Sequence, residues 1–369
     1  MVFGGEEMGA GRIAGPTLAA ALVLATLPSA PTAVAQAPPA VDQTLLPYVN
    51  AKDLVHLPDG RRLHLACMGQ GSPVVILTAG SSGWSANWSQ IQPAVAAKTR
   101  VCAWDRAGFG LSTGVERPQT IDQSTTDLQA ALAVGGVAGP YVAVGVSFGG
   151  FESLLLADRE PSKVVGMVLV DPSFPDESTR ELRTAPGLAA WDNAHPPPFI
   201  PFLRKCAAAL RAGALRPGGP DPDGCLRRQW PPSYPPEVRG ALDKALAEAK
   251  PDHVASSIES MTNGPELSPL NSKIAVKPGR SYGDMPLIVL TAGVVEGPPD
   301  VPAELKPEVS TVGAEWRRAH QELAALSTRG VDRIVPGSSH ASIPSPVIVA
   351  AIDEVVDEAR SSGRGRPAH

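Results

Sequence analysis

The chain lacks the features that would direct it to nucleic acid or a metal. Its 369 residues carry 32 Lys and Arg against 37 Asp and Glu, a formal charge of −5, so no basic field exists to hold a polyanion. The one Arg-rich fragment, Gly363-Arg364-Gly365-Arg366, is too short to argue from, and 361–369 reads as a solvated, frayed tail. There is no C-x-x-C and no H-E-x-x-H, and the spacing of the cysteines fits no zinc signature, which argues against a metal site. No internal repeat is visible. No apolar run is long enough to read plainly as a transmembrane helix.

The longest apolar run, Leu18–Leu27, follows Arg12 and precedes Ala33-Val34-Ala35, an A-x-A site that predicts cleavage before Gln36. Residues 1–35 are therefore expected to be a secretory signal and 36–45 a Pro/Ala linker. Glu6 and Glu7 sit where a positive region belongs, which points to Met8 as the start; a retained membrane anchor is the alternative. No cysteine lies near the cleavage point to carry a lipid, and the N-terminal segment has no twin-arginine pair. The mature protein is expected to be secreted or to reside in the cell envelope, without a stable membrane span. In such a compartment four cysteines suggest two disulfides. The expected pairing is Cys67 with Cys102, in separate strand-like segments, and Cys206 with Cys225.

A content of 43% apolar residues over this length supports a globular chain with a sizeable core. Pro58-Asp59-Gly60 between two strand-like runs predicts a leading hairpin. Strand patterns then alternate with helical ones: Val74–Gly80, Arg100–Asp105, Tyr141–Ser147, Val164–Asp171, Pro286–Gly293 and Asp332–Pro336, against helices near 86–97, 120–134, 148–159, 314–327 and 345–360. This order predicts an α/β fold, with a mostly parallel central sheet and helices on both faces. Between Asp171 and Pro286 the alternation stops. Pro196-Pro197-Pro198, Pro231-Pro232 and Pro235-Pro236 accompany two helical pieces, Phe202–Ala214 and Glu237–Ala249. A structureless loop of that length is improbable, so 172–283 is expected to form a helical cap between core segments 46–171 and 284–360.

Chemistry concentrates at Tyr141–Gly150. A β-branched run delivers Ser147 into Gly145-Val146-Ser147-Phe148-Gly149, with Gly150 behind it and the helical pattern FESLLLADRE after it. This reads as a nucleophile elbow, a sharp strand-to-helix turn that thrusts a serine hydroxyl out of the fold. With 36 glycines in the chain the five-residue pattern is weak alone, and the strand before and helix after it carry the argument.

An elbow serine needs a base, an acid to orient that base, and an oxyanion hole. Of seven histidines, His340 lies in Gly337-Ser338-Ser339-His340, between the last strand and the last helix, at the same sheet edge as Ser147. His56 and His64 fall in the leading hairpin and His320 in mid-helix, all three expected to be structural. His195 and His253 belong to the cap. Asp171, ending the strand after the elbow, is the preferred acid; Glu296, after the next strand, is the alternative and Asp300 a weaker third. For the oxyanion hole the donors are expected to be the backbone N–H of Phe148, directly after the nucleophile, and that of Ser81 in Ala79-Gly80-Ser81-Ser82-Gly83-Trp84.

In this order of elements the chain resembles the α/β-hydrolase fold superfamily. The carriers are Ala79-Gly80 where the family usually has His-Gly, the turn Asp105-Arg106-Ala107-Gly108-Phe109-Gly110-Leu111-Ser112, the Ser147 elbow, the strand ending in Asp171, and the His340 loop. It departs from the family pattern in the missing histidine before Gly80 and in having Glu296 rather than an aspartate after Gly293. The resemblance covers about 50–171 and 284–360. It implies an exported serine hydrolase that cleaves carboxylic esters or related acyl bonds through an acyl-enzyme, with no cofactor. The Asp105–Ser112 turn reads as structural. Alternatives on the same fold are a C–C hydrolase, a haloperoxidase, an acyltransferase, or a non-catalytic binding protein. Trp191, Phe199, Phe202, Trp230 and Tyr234 of the cap suggest a small, apolar acyl substrate.

Overall fold

The computed structural model describes residues 40–226, 230–262 and 267–363. The expected signal segment 1–35, residues 36–39 of the expected linker and Arg364–His369 lie outside them.

The leading hairpin comprises β1 (Leu54–His56) and β2 (Arg62–Met68). There follow β3 (Val74–Thr78), the one-turn α1 (Gln92–Ala96), β4 (Val101–Trp104), α2 (Ile121–Val134), β5 (Tyr141–Val146), α3 (Gly149–Arg159) and β6 (Val164–Val170). Six cap helices come next: α4 (Glu177–Thr184), α5 (Pro186–Ala194), α6 (Phe199–Arg211), α7 (Pro236–Ala247), α8 (Pro251–Thr262) and α9 (Leu267–Ile274). The core resumes with β7 (Leu287–Ala292), α10 (Lys306–Ala324), β8 (Gly330–Val335) and α11 (Ser345–Ser361). The eight strands form one sheet in the order β1-β2-β4-β3-β5-β6-β7-β8. β2 runs antiparallel to both β1 and β4, and every later pair is parallel.

The strands divide their side chains between two cores by the two-residue period of extended chain. Val75, Leu77, Val142, Val144, Val168, Val170, Ile288 and Leu290 face one way, against Ile348, Ile352 and Val355 of α11. Ile76, Tyr141, Ala143, Met167, Leu169, Leu287 and Val289 face the other, against Leu128, Leu154 and Leu323 of α2, α3 and α10. Both sheet faces are therefore dry, which is why β3, β5, β6 and β7 read as continuous apolar runs rather than alternating ones. Each fully buried Val, Leu or Ile there contributes about 1.5–3 kcal/mol. β8 is the edge strand; its Arg333 pairs with Glu354 of α11 at 2.6 Å, and charge at an edge discourages pairing with another chain.

The cap holds itself together. Leu203, Cys206, Ala207 and Leu210 recur along α6 at helical spacing and meet Val254, Ala255 and Ile258 of α8. Cys206 is bonded to Cys225 beneath them, and Cys67 to Cys102 across the β2–β4 pair, where the two residues stand opposite in register. The described residues include no free cysteine. Two closed disulfides fit an oxidising compartment. Among the described residues no helix is long and apolar enough to cross a membrane.

Three expectations differ from the observed elements. The segment contains α4, α5, α8 and α9 besides the two expected helices; Pro186 and Pro251 start α5 and α8 rather than interrupting them. α10 begins at Lys306 rather than 314; Gly313, inside it, is where the helix closes on Val295, so the glycine marks a close approach rather than an end. The helix expected near 86–97 is a short 3-10 turn at Ser85–Trp88 followed by α1.

Candidate active site

At the C-terminal end of β5 the backbone turns through Ser147 with φ 52°, a left-handed conformation that a non-glycine residue adopts only where its surroundings enforce it. The Ser147 N–H donates to the Val170 carbonyl, and the Ser147 carbonyl accepts from Gly150 and Ser173, each within 3.0 Å. The flanking glycines answer a packing demand. A Cβ on Gly145 would lie 2.2 Å from the Gly149 carbonyl oxygen, and one on Gly149 would lie 2.4 Å from that of Thr78. Only bare backbone lets α3 start this close to β3.

The turn aims Ser147 at His340, which the loop after β8 brings to the same sheet edge. His340 Nε2 lies 3.0 Å from Ser147 Oγ, and His340 Nδ1 lies 2.6 Å from Asp171 Oδ2. The remaining Asp171 oxygen accepts the Ala292 N–H at 2.8 Å. Burial pushes the Asp171 carboxyl up, but the hydrogen bonds from His340 and Ala292 and the nearby imidazoles outweigh it and hold the group below the usual carboxylate range. An ionised Asp171 can only accept, so Nδ1 carries the His340 proton and Nε2 presents its lone pair to the serine hydroxyl. Asp171 is 2% exposed whereas the His340 side chain is half exposed, so the imidazole meets solvent and the carboxylate beside it does not.

Glu296 and Asp300, the alternative acids, lie exposed in the loop after β7 and make no contact with His340. Among the described residues, the N–H groups of Phe148 and Ser81 have no hydrogen-bond acceptor. Gly80 lies against Ser147, since a Cβ there would be 3.6 Å from the Ser147 Cβ.

Arg106 has more to do than hold its own turn. It lies 7% exposed, donates to the Ala79 carbonyl at 2.5 Å and the Gly80 carbonyl at 2.8 Å, and pairs with the fully buried Glu152 of α3. Ser124 of α2 completes that carboxylate at 2.6 Å. The Arg–Gly turn was legible as a motif, but nothing in it announced that the guanidinium reaches the loop containing Ser81. Asp105 beside it accepts from the N–H groups of Ser85 and Leu111. His320, expected to be structural, lies behind Asp171, its Nδ1 3.9 Å from Asp171 Oδ1. Its mid-helix position gave no signal of this.

A cavity of about 1050 Å³ separates the cap from the core loop at 108–114. Phe199, Phe202, Trp230 and Tyr234 line it, together with His253 and with Ser82 and Trp84 of the loop after β3. Ser147, Asp171 and His340 are not in its wall; the nearest approach along the chain is Ser82, two residues after Gly80. Trp191 does not line it and stacks on His195 instead, with ring centroids 4.8 Å apart.

A family model described as alpha/beta hydrolase fold matches residues 73–201. The solved structure of the epoxide hydrolase CorEH is 16% identical, with a TM-score of 0.51, over 83% of this chain and 98% of that one, a likeness of fold alone. The chain has the α/β-hydrolase fold. Among its curated relatives, the 2-hydroxymuconate semialdehyde hydrolase of Pseudomonas sp. (strain CF600) is 36% identical over 30% of this chain and 40% of its own length. Lipase LipV of Mycobacterium tuberculosis is 29% identical over 41% of this chain and 64% of its own. The chain spans less than two thirds of the length of the curated relatives it matches.

Proposed function

We propose that the protein is an exported serine hydrolase that cleaves carboxylic esters or related acyl bonds. The observation that carries this is the unbroken chain from Ser147 Oγ to His340 Nε2 at 3.0 Å and from His340 Nδ1 to Asp171 at 2.6 Å. Ser147 attacks the acyl carbonyl while His340 takes its proton at Nε2. The tetrahedral oxyanion is met by the N–H groups of Phe148, at the start of α3 where the helix dipole favours negative charge, and of Ser81, both without an acceptor among the described residues. His340 then protonates the leaving group, and water, activated by the same imidazole, releases the acyl-enzyme. The half exposure of His340 supports water's access to that step. The sequence calls on no cofactor. Phe199, Phe202, Trp230 and Tyr234 favour a small, apolar acyl substrate in the cavity beside the Ser81 loop. The disulfides and the apolar N-terminal run support export.

A fluorophosphonate probe tests the reading. The wild type should take one label, on Ser147, and Ser147→Ala and His340→Ala should take none at the same exposure. A folded wild type that stays unlabelled would show a binding protein. The similarity to a 2-hydroxymuconate semialdehyde hydrolase favours carbon–carbon cleavage as a second reading. In that case the protein labels but barely cleaves p-nitrophenyl esters.

A further inference from the structure

Behind Asp171, four elements of the core converge on one buried imidazole. His320 projects from α10 and is wholly enclosed. Its Nε2 lies 2.9 Å from the carbonyl oxygen of Pro172, just past β6, and its Nδ1 lies 2.8 Å from Thr291 Oγ1 on β7. Thr291 Oγ1 in turn lies 2.5 Å from Asp332 Oδ1 on β8. Phe174 and Trp316 present their rings edge-on to the imidazole, leaving no room for bulk water.

The protons of this chain can be counted. A carbonyl oxygen only accepts, so Nε2 must carry a hydrogen to meet Pro172. An ionised carboxylate only accepts, so the short contact between Thr291 and Asp332 uses the one hydroxyl hydrogen that Thr291 has. Thr291 Oγ1 then has nothing left to give His320, and Nδ1 must be a donor as well. If the hydroxyl instead donates to Nδ1, its contact with Asp332 requires a protonated carboxyl. Either way the chain holds one proton more than a neutral imidazole, a hydroxyl and an ionised carboxylate supply.

We propose that this extra proton resides on His320, so that a buried imidazolium stands 3.9 Å behind Asp171 as its counter-ion. Asp332 is partly open to water, whereas the His320 ring is wholly enclosed with the Pro172 carbonyl oxygen against Nε2 and the Thr291 hydroxyl oxygen against Nδ1. The titratable groups around the ring are Asp171, Asp332 and His340. Burial above all, with the His340 ring, holds this imidazole below the usual histidine range even against Asp171, the Pro172 carbonyl and Asp332, so charge alone favours the neutral ring. The two carboxylates and the acceptor set oppose that drive, and hydrogen-bond complementarity decides the matter, because a neutral ring beside an ionised Asp332 leaves two oxygens 2.5 Å apart or Nδ1 facing an acceptor with no proton between. His320 is thus a positioning residue. It makes no contact with the serine; it sets the charge seen by Asp171 and through it by His340.

Nitrogen-15 NMR of the histidine-labelled full-length protein at neutral pH tests this without reference to activity, with His320→Gln assigning the signal. Both His320 ring nitrogens should show the shifts and couplings of a doubly protonated ring. In Thr291→Val, which removes the bridging hydroxyl at nearly constant volume, the ring should become neutral, and Thr291→Ser should restore the imidazolium. The kinetic arm rests on the proposed triad: loss of a cation near His340 raises that imidazole's pKa, so the acidic limb of kcat/KM should move to higher pH in Thr291→Val and return in Thr291→Ser. A singly protonated His320 in the wild type overturns the proposal, whether Asp332 is found ionised or protonated. An imidazolium in a protein that takes no fluorophosphonate label leaves the counter-ion in place and sinks only the hydrolase reading.

Discussion

Arg106 and Glu152 form a buried pair that joins the Ala79–Gly80 loop to α3, the helix that begins just after Ser147. The guanidinium is 2.5 Å from the Glu152 carboxylate and spends its other N–H groups on the carbonyls of Ala79 and Gly80. Its charge is also 5.1 Å from the centre of the Phe148 ring, directly after Ser147. Backbone carbonyls held on one side of a peptide fix where the next N–H points, so the pair orients the Ser81 amide as well as stabilising the fold.

Arg106→Met should therefore impair stability and rate separately. Leaving Glu152 buried without its partner should cost about 3–5 kcal/mol in urea unfolding. Arg106→Met combined with Glu152→Met should recover much of that stability but not the rate, which should stay down by on the order of a hundred-fold, the loss typical when an oxyanion donor is misplaced. Full recovery of rate in the double variant would reduce the pair to a structural one.

Asp171→Asn should lower kcat by thousands-fold or more, on the order of the loss known for a triad acid, because the amide no longer fixes the Nδ1 proton of His340. Glu296→Gln should leave kcat within about two-fold, as an exposed loop substitution does. Steady-state kinetics on any ester the protein accepts decide between them.

Ser147 occupies a left-handed conformation that costs a non-glycine residue about 1–2 kcal/mol. Ser147→Gly should raise the thermal midpoint while Ser147→Ala, which keeps the strain, should raise it less; calorimetry of the two inactive variants is the measurement.

Glu177, at the start of α4, is pushed up to about 8 by burial and by Glu181, which burial and Asp192 push up to about 7. A carboxyl whose folded pKa exceeds its unfolded value stabilises the fold at acid pH, and that contribution is lost as pH rises through the folded values. The wild type should thus lose stability between about pH 5 and about pH 9, and Glu177→Gln, which cannot ionise, should lose less. Urea midpoints across that range check the sign; parallel curves would sink the assignment.

The Cys206–Cys225 bond closes a separation of 19 residues within the cap. Replacing both by Ala should cost about 3 kcal/mol by the loop-entropy estimate, expressed as early cap unfolding in hydrogen exchange while the sheet stays protected.

What the sequence determined by itself was local and ordinal. The β-branched runs named the strands, because a strand buried on both faces must be apolar throughout. Gly145 and Gly149 located the elbow, because no side chain fits where α3 meets β3. The succession of Ser147, Asp171 and His340 was legible because each stands at the C-terminal end of a strand pattern or just beyond it. The sequence could not choose between Asp171 and Glu296, since both follow strands in the right order; what separates them is the path of the loops after β7 and β8, which sets His340 against Asp171 and leaves Glu296 exposed. Nor could it single out Arg106 or His320. Their partners are 46 positions away in one case and 148 in the other, and contacts at that separation exist only once the sheet has brought the elements together.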